Sequence, residues 1–204
     1  MIQLVIENLD FDARYTFIVQ REHYEQYELR GVLSEISPGC EIVQVDGITE
    51  GAACTVLLAK ERIDSSESLL IANADQFIEW GHKPELLPEL IYSDGMILTI
   101  NTDHPNFSYV RLGHNDYVSE VAEKRVISNL GTIGVYFWKH GSDFVKYAEQ
   151  MIKKNIRTNG EFYVCPVYQE AINEGQKFLI RGIDKLWPLG NPVELQNFLE
   201  HYKP

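Results

Sequence analysis

Residues 68–74, SLLIANA, form an unbroken apolar run that is short for a helix and lacks the alternation of a half-wetted strand. Such a run suits a strand covered on both faces, as strands of parallel sheets are. It ends in Asn73-Ala74-Asp75, so a carboxylate closes it. Ligands of open α/β sheets gather beyond the carboxyl ends of the strands. Asp75 is therefore either a solvated loop residue or an acid holding Mg²⁺, a hard ion that takes oxygen ligands and bridges protein to phosphate.

The surrounding segments alternate. MIQLVIENL spaces Ile2, Val5, Ile6 and Leu9 helically, and RYTFIVQ (14–20) reads as a strand. Residues 22–36 form a predicted helix with Tyr24, Tyr27 and Leu33 inward, stopped by Pro38-Gly39. EIVQV (41–45) is a second strand, and residues 51–60 a second helix. This alternation implies an α/β sheet with right-handed crossovers.

Strands dominate the second half, at 95–102, 107–112, 117–123, 130–138 and 177–182, with helices expected over 141–155 and 192–202. Pro192 suits a first helical turn. The expectation is one domain over 1–204: a mixed, mostly parallel sheet flanked by helices.

A formal net charge of −12 argues against a nucleic-acid backbone or an anionic membrane as partner. No apolar run of about eighteen residues or signal peptide is present, and Cys40, Cys54 and Cys165 lack metal-type spacing. A cytoplasmic protein with reduced, buried thiols is expected.

Three further stretches could carry chemistry. VDGITEGAACTV (45–56) sets Gly47 and Gly51 between strand and helix, for tight packing or for close approach of a flat ring or phosphate to a helix amino terminus. Glu123 and Lys124 are neighbours at a strand end, so one could enter a pocket while the other meets solvent, unless a bulge intervenes. A lysine in a pocket is a point-charge phosphate binder; an exposed Glu-Lys pair is the plainer reading. TNGEFYVCPVYQEAI (158–172) joins an Asn159-Gly160 turn to Glu161, Phe162 and Tyr163, which suit either core packing or a polyol held by carboxylates against an aromatic face. The six histidines show no HxxxH or HxH pair.

Together TEGAACTVLLAKERI, SLLIANADQ, EVAEKRVISNLGTIGVYFW, NGEFYVCPVYQEAI and KLWPLGNPVELQNFL resemble, in family order, the sugar-1-phosphate nucleotidyltransferases (NDP-sugar pyrophosphorylases), in particular a small capsule- and lipopolysaccharide-type branch. The resemblance implies a Rossmann-like fold and transfer of a nucleotidyl group from a nucleoside triphosphate to a sugar 1-phosphate. It implies Asp75 as a catalytic, Mg²⁺-binding acid and Lys124 as the catalytic cation on the sugar phosphate. Glu50, Gly51, Ala52 and Asn73 would border the nucleotide, and Glu123, Gly134 and Glu161 the sugar.

Two departures accompany it. The family's first strand, G-x-G-[ST]-R loop and Pro-Lys pair have no counterpart in this sequence, and LWPLGNP carries no acid between Trp187 and Gly190, where the family places a second metal-binding aspartate. Lack of the first strand would leave neighbouring strands with unpaired amides and carbonyls. A truncated product, another segment in the gap, or pairing from a second copy in a homo-oligomer would each account for it. A non-catalytic sugar-phosphate or sugar-nucleotide binding module, or a partner of an intact homologue, is the alternative function. A glycosyltransferase is a third, weakened by the single acid of Asn73-Ala74-Asp75.

Overall fold

The structure, a computed structural model, describes residues 1–81 and 91–203. Its first half contains α1 (Ile2–Leu9), β1 (Thr16–Gln20), α2 (Arg21–Gln26), α3 (Leu29–Ile36), β2 (Glu41–Val45), α4 (Ala52–Leu57), α5 (Lys60–Ile63), β3 (Leu69–Ala72) and β4 (Gln76–Glu79). The second half adds β5 (Gly95–Asn101), β6 (Ser108–Leu112), β7 (Val118–Ala122), β8 (Leu130–Trp138), α6 (Gly141–Lys153), α7 (Cys165–Asn173), β9 (Phe178–Gly182), β10 (Lys185–Pro188) and α8 (Pro192–His201).

The main sheet is mixed and runs β7-β6-β8-β5-β9, with β3 on the same edge of β8 as β6. The pairings make β3, β5, β6 and β9 point one way and β7 and β8 the other. This is the expected mixed α/β sheet, in which most strands share a direction. The immediate neighbour of β3, however, is the antiparallel β8. Hydrophobicity reports burial, not strand direction, so the apolar run could not reveal that partner. Nor is β3 fully covered: all four of its residues are half-buried. The reason lies on its other side, where a cavity of about 2110 Å³ separates it from β1.

β1 pairs in parallel only with β2, forming a separate two-stranded sheet, and β4 pairs with β10 in another. The expected helix over 22–36 is two helices, broken at Glu28, whose φ of 47° is left-handed. That break turns Tyr27 outward to 58% exposure, whereas Leu33 is buried as expected. Of the three free thiols, only Cys165 is fully buried.

One core lies between β8 and helices α6 and α7. There Trp138 is ringed by Phe144, Tyr147, Tyr168 and Phe178, with Tyr168 at a centroid distance of 4.3 Å. Aromatic pairs at such spacing add roughly 0.5–1.5 kcal/mol each beyond area burial. A second core joins α1, through Val5 and Leu9, to Met96, Leu98 and Val135 on the opposite face. A third packs Phe77, Trp187, Leu189 and Phe198, fixing the carboxyl-terminal arm to β4.

Candidate functional site

The site forms where β8 changes neighbours. Its first residues pair with β6 and its last with β3, and the β5–β8 register shifts between Ile97 and Thr99. Gly134 sits at this irregularity with φ 73°, a conformation costly for any residue with a Cβ. A Cβ there would lie 2.2 Å from Asn73 Nδ2, so the missing side chain lets the amide of Asn73 lie on the backbone. The Asn73 backbone N–H donates to the Gly134 carbonyl at 3.0 Å. Two residues assigned to different ligand halves thus touch.

Gly51 is joined to the 158–163 segment in the same manner. With φ 131°, it lies where a Cβ would come within 2.5 Å of the Phe162 carbonyl oxygen. Phe162 donates its amide to the Glu50 carbonyl at 2.9 Å, and Ala53 donates to the Phe162 carbonyl at 2.9 Å. The latter bond engages one of the leading amides of α4, a helix of six residues, with protein, as the tight-packing reading of this turn expects. The Asn159-Gly160 turn is present, both residues having positive φ, and Thr158 bridges Glu161 across it. Arg157 stacks over Phe162 at 3.9 Å, pairs with Glu50, and donates to the Gly160 carbonyl. Sequence reasoning missed this residue because its partner lies over a hundred positions away.

Glu123 and Lys124 diverge, but not by strand alternation. β7 ends at Ala122, and Lys124 has φ 51°. Glu123 turns inward and accepts a hydrogen bond from the Ser108 hydroxyl. Burial holds its carboxyl above the usual range, opposed by the Ser108 bond and by Lys124. Lys124 is exposed and donates to the Tyr163 hydroxyl at 2.7 Å; this bond raises its pKa, and the charges of Glu123 and Glu161 add to the effect. Lys124, Glu123, Glu161 and Tyr163 therefore form one cluster. Below it, burial also pushes the Cys165 thiol up, with Glu123 adding to the shift. A thiol held protonated there is packing, not a nucleophile.

Asp75 belongs to a second group. It is exposed at the β3–β4 junction, and its carbonyl accepts the Leu189 amide at 2.7 Å. Its carboxylate lies over Gly190, where a Cβ would meet Oδ2 at 2.7 Å and the Glu194 carboxylate at 3.5 Å. Glu194 accepts the Gly190 amide at 3.0 Å. A second carboxylate, Glu194 in the first turn of α8, thus stands at Gly190 beside that of Asp75, a juxtaposition no sequence spacing announces. The candidate residues form two groups: Asn73, Gly134, Gly51, Glu123, Lys124 and Glu161 on the sheet and its loops, and Asp75 with Glu194 beside the carboxyl-terminal arm. Among the described residues no hydrogen bond or ion pair joins Asp75 to Lys124. Among the described residues no cluster of three metal-type side chains occurs.

The chain has the Rossmann-like α/β fold of the nucleotide-sugar pyrophosphorylases and sugar-phosphate nucleotidyltransferases. A nucleoside-diphosphate-sugar pyrophosphorylase from Vibrio cholerae superposes with a TM-score of 0.82 at 23% identity, covering 98% of this chain and 86% of that one. A UDP-glucose pyrophosphorylase complexed with UDP-glucose gives 0.71 at 14% identity, covering 98% and 87%. The inositol-1-phosphate CTP transferase from T. maritima gives 0.60 at 15%, covering 89% and 71%. No protein-family model and no curated protein sequence matches the chain.

Proposed function

We propose that the chain is a sugar-phosphate nucleotidyltransferase, forming a sugar nucleotide for surface-polysaccharide synthesis in the cytoplasm. The observation that carries this reading is the gathering of Lys124 with Glu123, Glu161 and Tyr163 at one end of a sheet with the pyrophosphorylase fold. An oxygen of the sugar phosphate would attack the α-phosphorus of the nucleoside triphosphate, forming a new P–O bond. The bond from that phosphorus to the bridging oxygen breaks, and pyrophosphate leaves with its electron pair.

Lys124 would neutralise the sugar phosphate, and Glu123 and Glu161 would accept hydroxyl donors from the sugar. Gly134 would line the sugar side of the pocket, and Asn73 would border the nucleotide, with Glu50, Gly51 and Ala52 at its base. Such chemistry needs positioning and charge neutralisation rather than a covalent enzyme intermediate. The donor set beside Gly190 fits Mg²⁺ in its substrate-bridging mode: one or two carboxylates, here Asp75 and Glu194, completed by phosphates and water. Bound there, the ion would neutralise charge on the phosphates.

A non-catalytic sugar-phosphate or sugar-nucleotide binding module is the second reading. Arg157 favours it, being committed to Glu50 and to the Gly160 carbonyl rather than offered to a triphosphate. Each lost charged donor in such a transition state costs about 3 kcal/mol.

Pyrophosphate release from a nucleoside triphosphate and a sugar 1-phosphate with Mg²⁺ separates the two readings. Release that falls at least tenfold in Lys124→Ala and loses its Mg²⁺ dependence in Asp75→Asn supports the enzyme. Sugar-phosphate binding without release supports the module. Indifference of both variants to every ligand would overturn the site itself.

A further inference from the structure

Glu123 enters the candidate site with one side of its carboxyl already taken. The β6–β7 ladder pairs Tyr109 with Ala122, and one residue further on Ser108 stands beside Glu123. Ser108 donates its only proton to Glu123 Oε2. Ser108 is itself buried, and its ladder partner on β8 is the buried Thr132, which shares a hydrogen bond of 2.9 Å with the Tyr136 hydroxyl. The Ser108 hydroxyl also bears on the Tyr136 phenol, so three side chains from β6 and β8 form one buried hydroxyl row behind Glu123. Buried hydroxyls are costly to leave unmatched, which resists any turning of Ser108 away from the carboxylate.

The two carboxyl oxygens therefore differ. Oε2 is committed to Ser108, whereas Oε1 takes no hydrogen bond from the described residues. The charged and titratable neighbours do not change this. Lys124, whose charge acts on the carboxyl, gives its hydrogen bond to Tyr163, and Glu161 acts on Lys124. Tyr136 on β8 and Cys165 on α7 are held protonated by burial and bring no charge to Glu123.

What a carboxylate recognises depends on how many of its oxygens are free. Two free oxygens grip a pair of neighbouring donors, as in the bidentate contact with arginine. On a sugar ring the matching pair is a vicinal diol. One free oxygen holds one hydroxyl.

We propose that Ser108 determines specificity here: by holding Oε2 it makes Glu123 the reader of a single sugar hydroxyl rather than of a vicinal pair. Ser108 acts through Glu123 and is a positioning residue. The ring positions that flank the chosen hydroxyl go unread by Glu123, so a sugar phosphate altered at one of them keeps this contact. The inference rests on the nucleotidyltransferase reading, which sets Glu123 against the sugar.

The test is a set of coupling cycles read by titration calorimetry with Mg²⁺. Glucose, galactose and mannose 1-phosphate are compared, and the tightest binder is followed with its monodeoxy analogues. Removal of one hydroxyl should weaken binding to the unaltered chain about tenfold or more, and that loss should vanish in Glu123→Ala. Removal of a hydroxyl beside it should cost the same with and without the Glu123 side chain. In Ser108→Ala the freed oxygen should couple a second, adjacent hydroxyl to Glu123, and Ser108→Thr, which keeps a hydroxyl, should restore the single coupling. General damage to the site would instead weaken every analogue alike. The Ser108 bond holds the Glu123 carboxyl down, so its carboxyl-carbon NMR midpoint should rise in Ser108→Ala and return in Ser108→Thr. Two adjacent hydroxyls coupled to Glu123 in the unaltered chain overturn the inference and leave the proposed reaction standing, and this arm needs no Ser108 variant to fold. A single coupling that persists in folded Ser108→Ala overturns it as well. Bound sugar phosphate with no hydroxyl coupled to Glu123 overturns the placing of Glu123 at the sugar, and the inference with it. Failure of all three sugar phosphates to bind overturns the nucleotidyltransferase reading itself and takes the inference with it.

Discussion

The main sheet and the β1–β2 ribbon are parts of the same α/β layer, yet they are held in different ways. Around β8, strands flank both edges and Trp138 is fully buried among aromatic rings. Around β1, one ladder joins two strands, and four of its five residues stay half-buried beside the cavity. A two-stranded unit is marginal by itself, so the ribbon depends on what packs against it, α2 included. Stability in this fold is concentrated on the side remote from the cavity, and of the candidate residues Ala52 and Asn73 line it.

The largest test of that contrast is Trp138→Ala, expected to cost about 3–5 kcal/mol in urea unfolding. Ile18→Ala in β1 should cost about 1 kcal/mol or less, because the removed atoms are only partly dry. Equal losses would break the comparison. Next is Gly134→Ala, where positive φ and the Asn73 amide at 2.2 Å combine. A loss of roughly 1–3 kcal/mol is expected by calorimetry. Placing the strain at this contact requires that Asn73→Ala, made in addition, restore part of it.

Glu123 supplies a smaller, pH-dependent effect. Burial raises its folded pKa above that of the unfolded chain, so it binds its proton more tightly when folded. Its contribution to stability is fully present below the ordinary glutamate range and is lost as pH rises through the raised value. Glu123→Gln should therefore flatten the decline in unfolding free energy over that window, and a carboxyl-carbon NMR titration of Glu123 should show the upward midpoint. An unshifted midpoint would remove the argument. The smallest effect belongs to Arg157→Met, which breaks the exposed pair with Glu50 and should change stability by under about 1 kcal/mol.

The long elements were legible because their signals were long. The nine-residue run of β8 and the amphipathic pattern of α6 lie where periodicity puts them. The short strands β4 and β10 were not, since four residues carry no period and Pro188 is a poor strand former. α7 was missed because Pro166 resembles a breaker, although it occupies the first turn, where its lack of an amide is harmless. At the site, local geometry followed from adjacent residues: Glu123 and Lys124 face different partners, and Asn159-Gly160 makes a turn. Contacts between distant segments, Ser108 with Glu123 and Gly190 with Asp75, were invisible because no pattern in one segment constrains its partner in another.

Asp75 closes the main sheet's β3, yet its carbonyl and carboxylate rest on Leu189 and Gly190 of the carboxyl-terminal arm. Substitutions in that arm can therefore shift this acid by fractions of an ångström without disturbing the aromatic core. The placing of this acid and the stability of the fold can drift separately in descendants of this chain, since each is written in a different stretch of sequence.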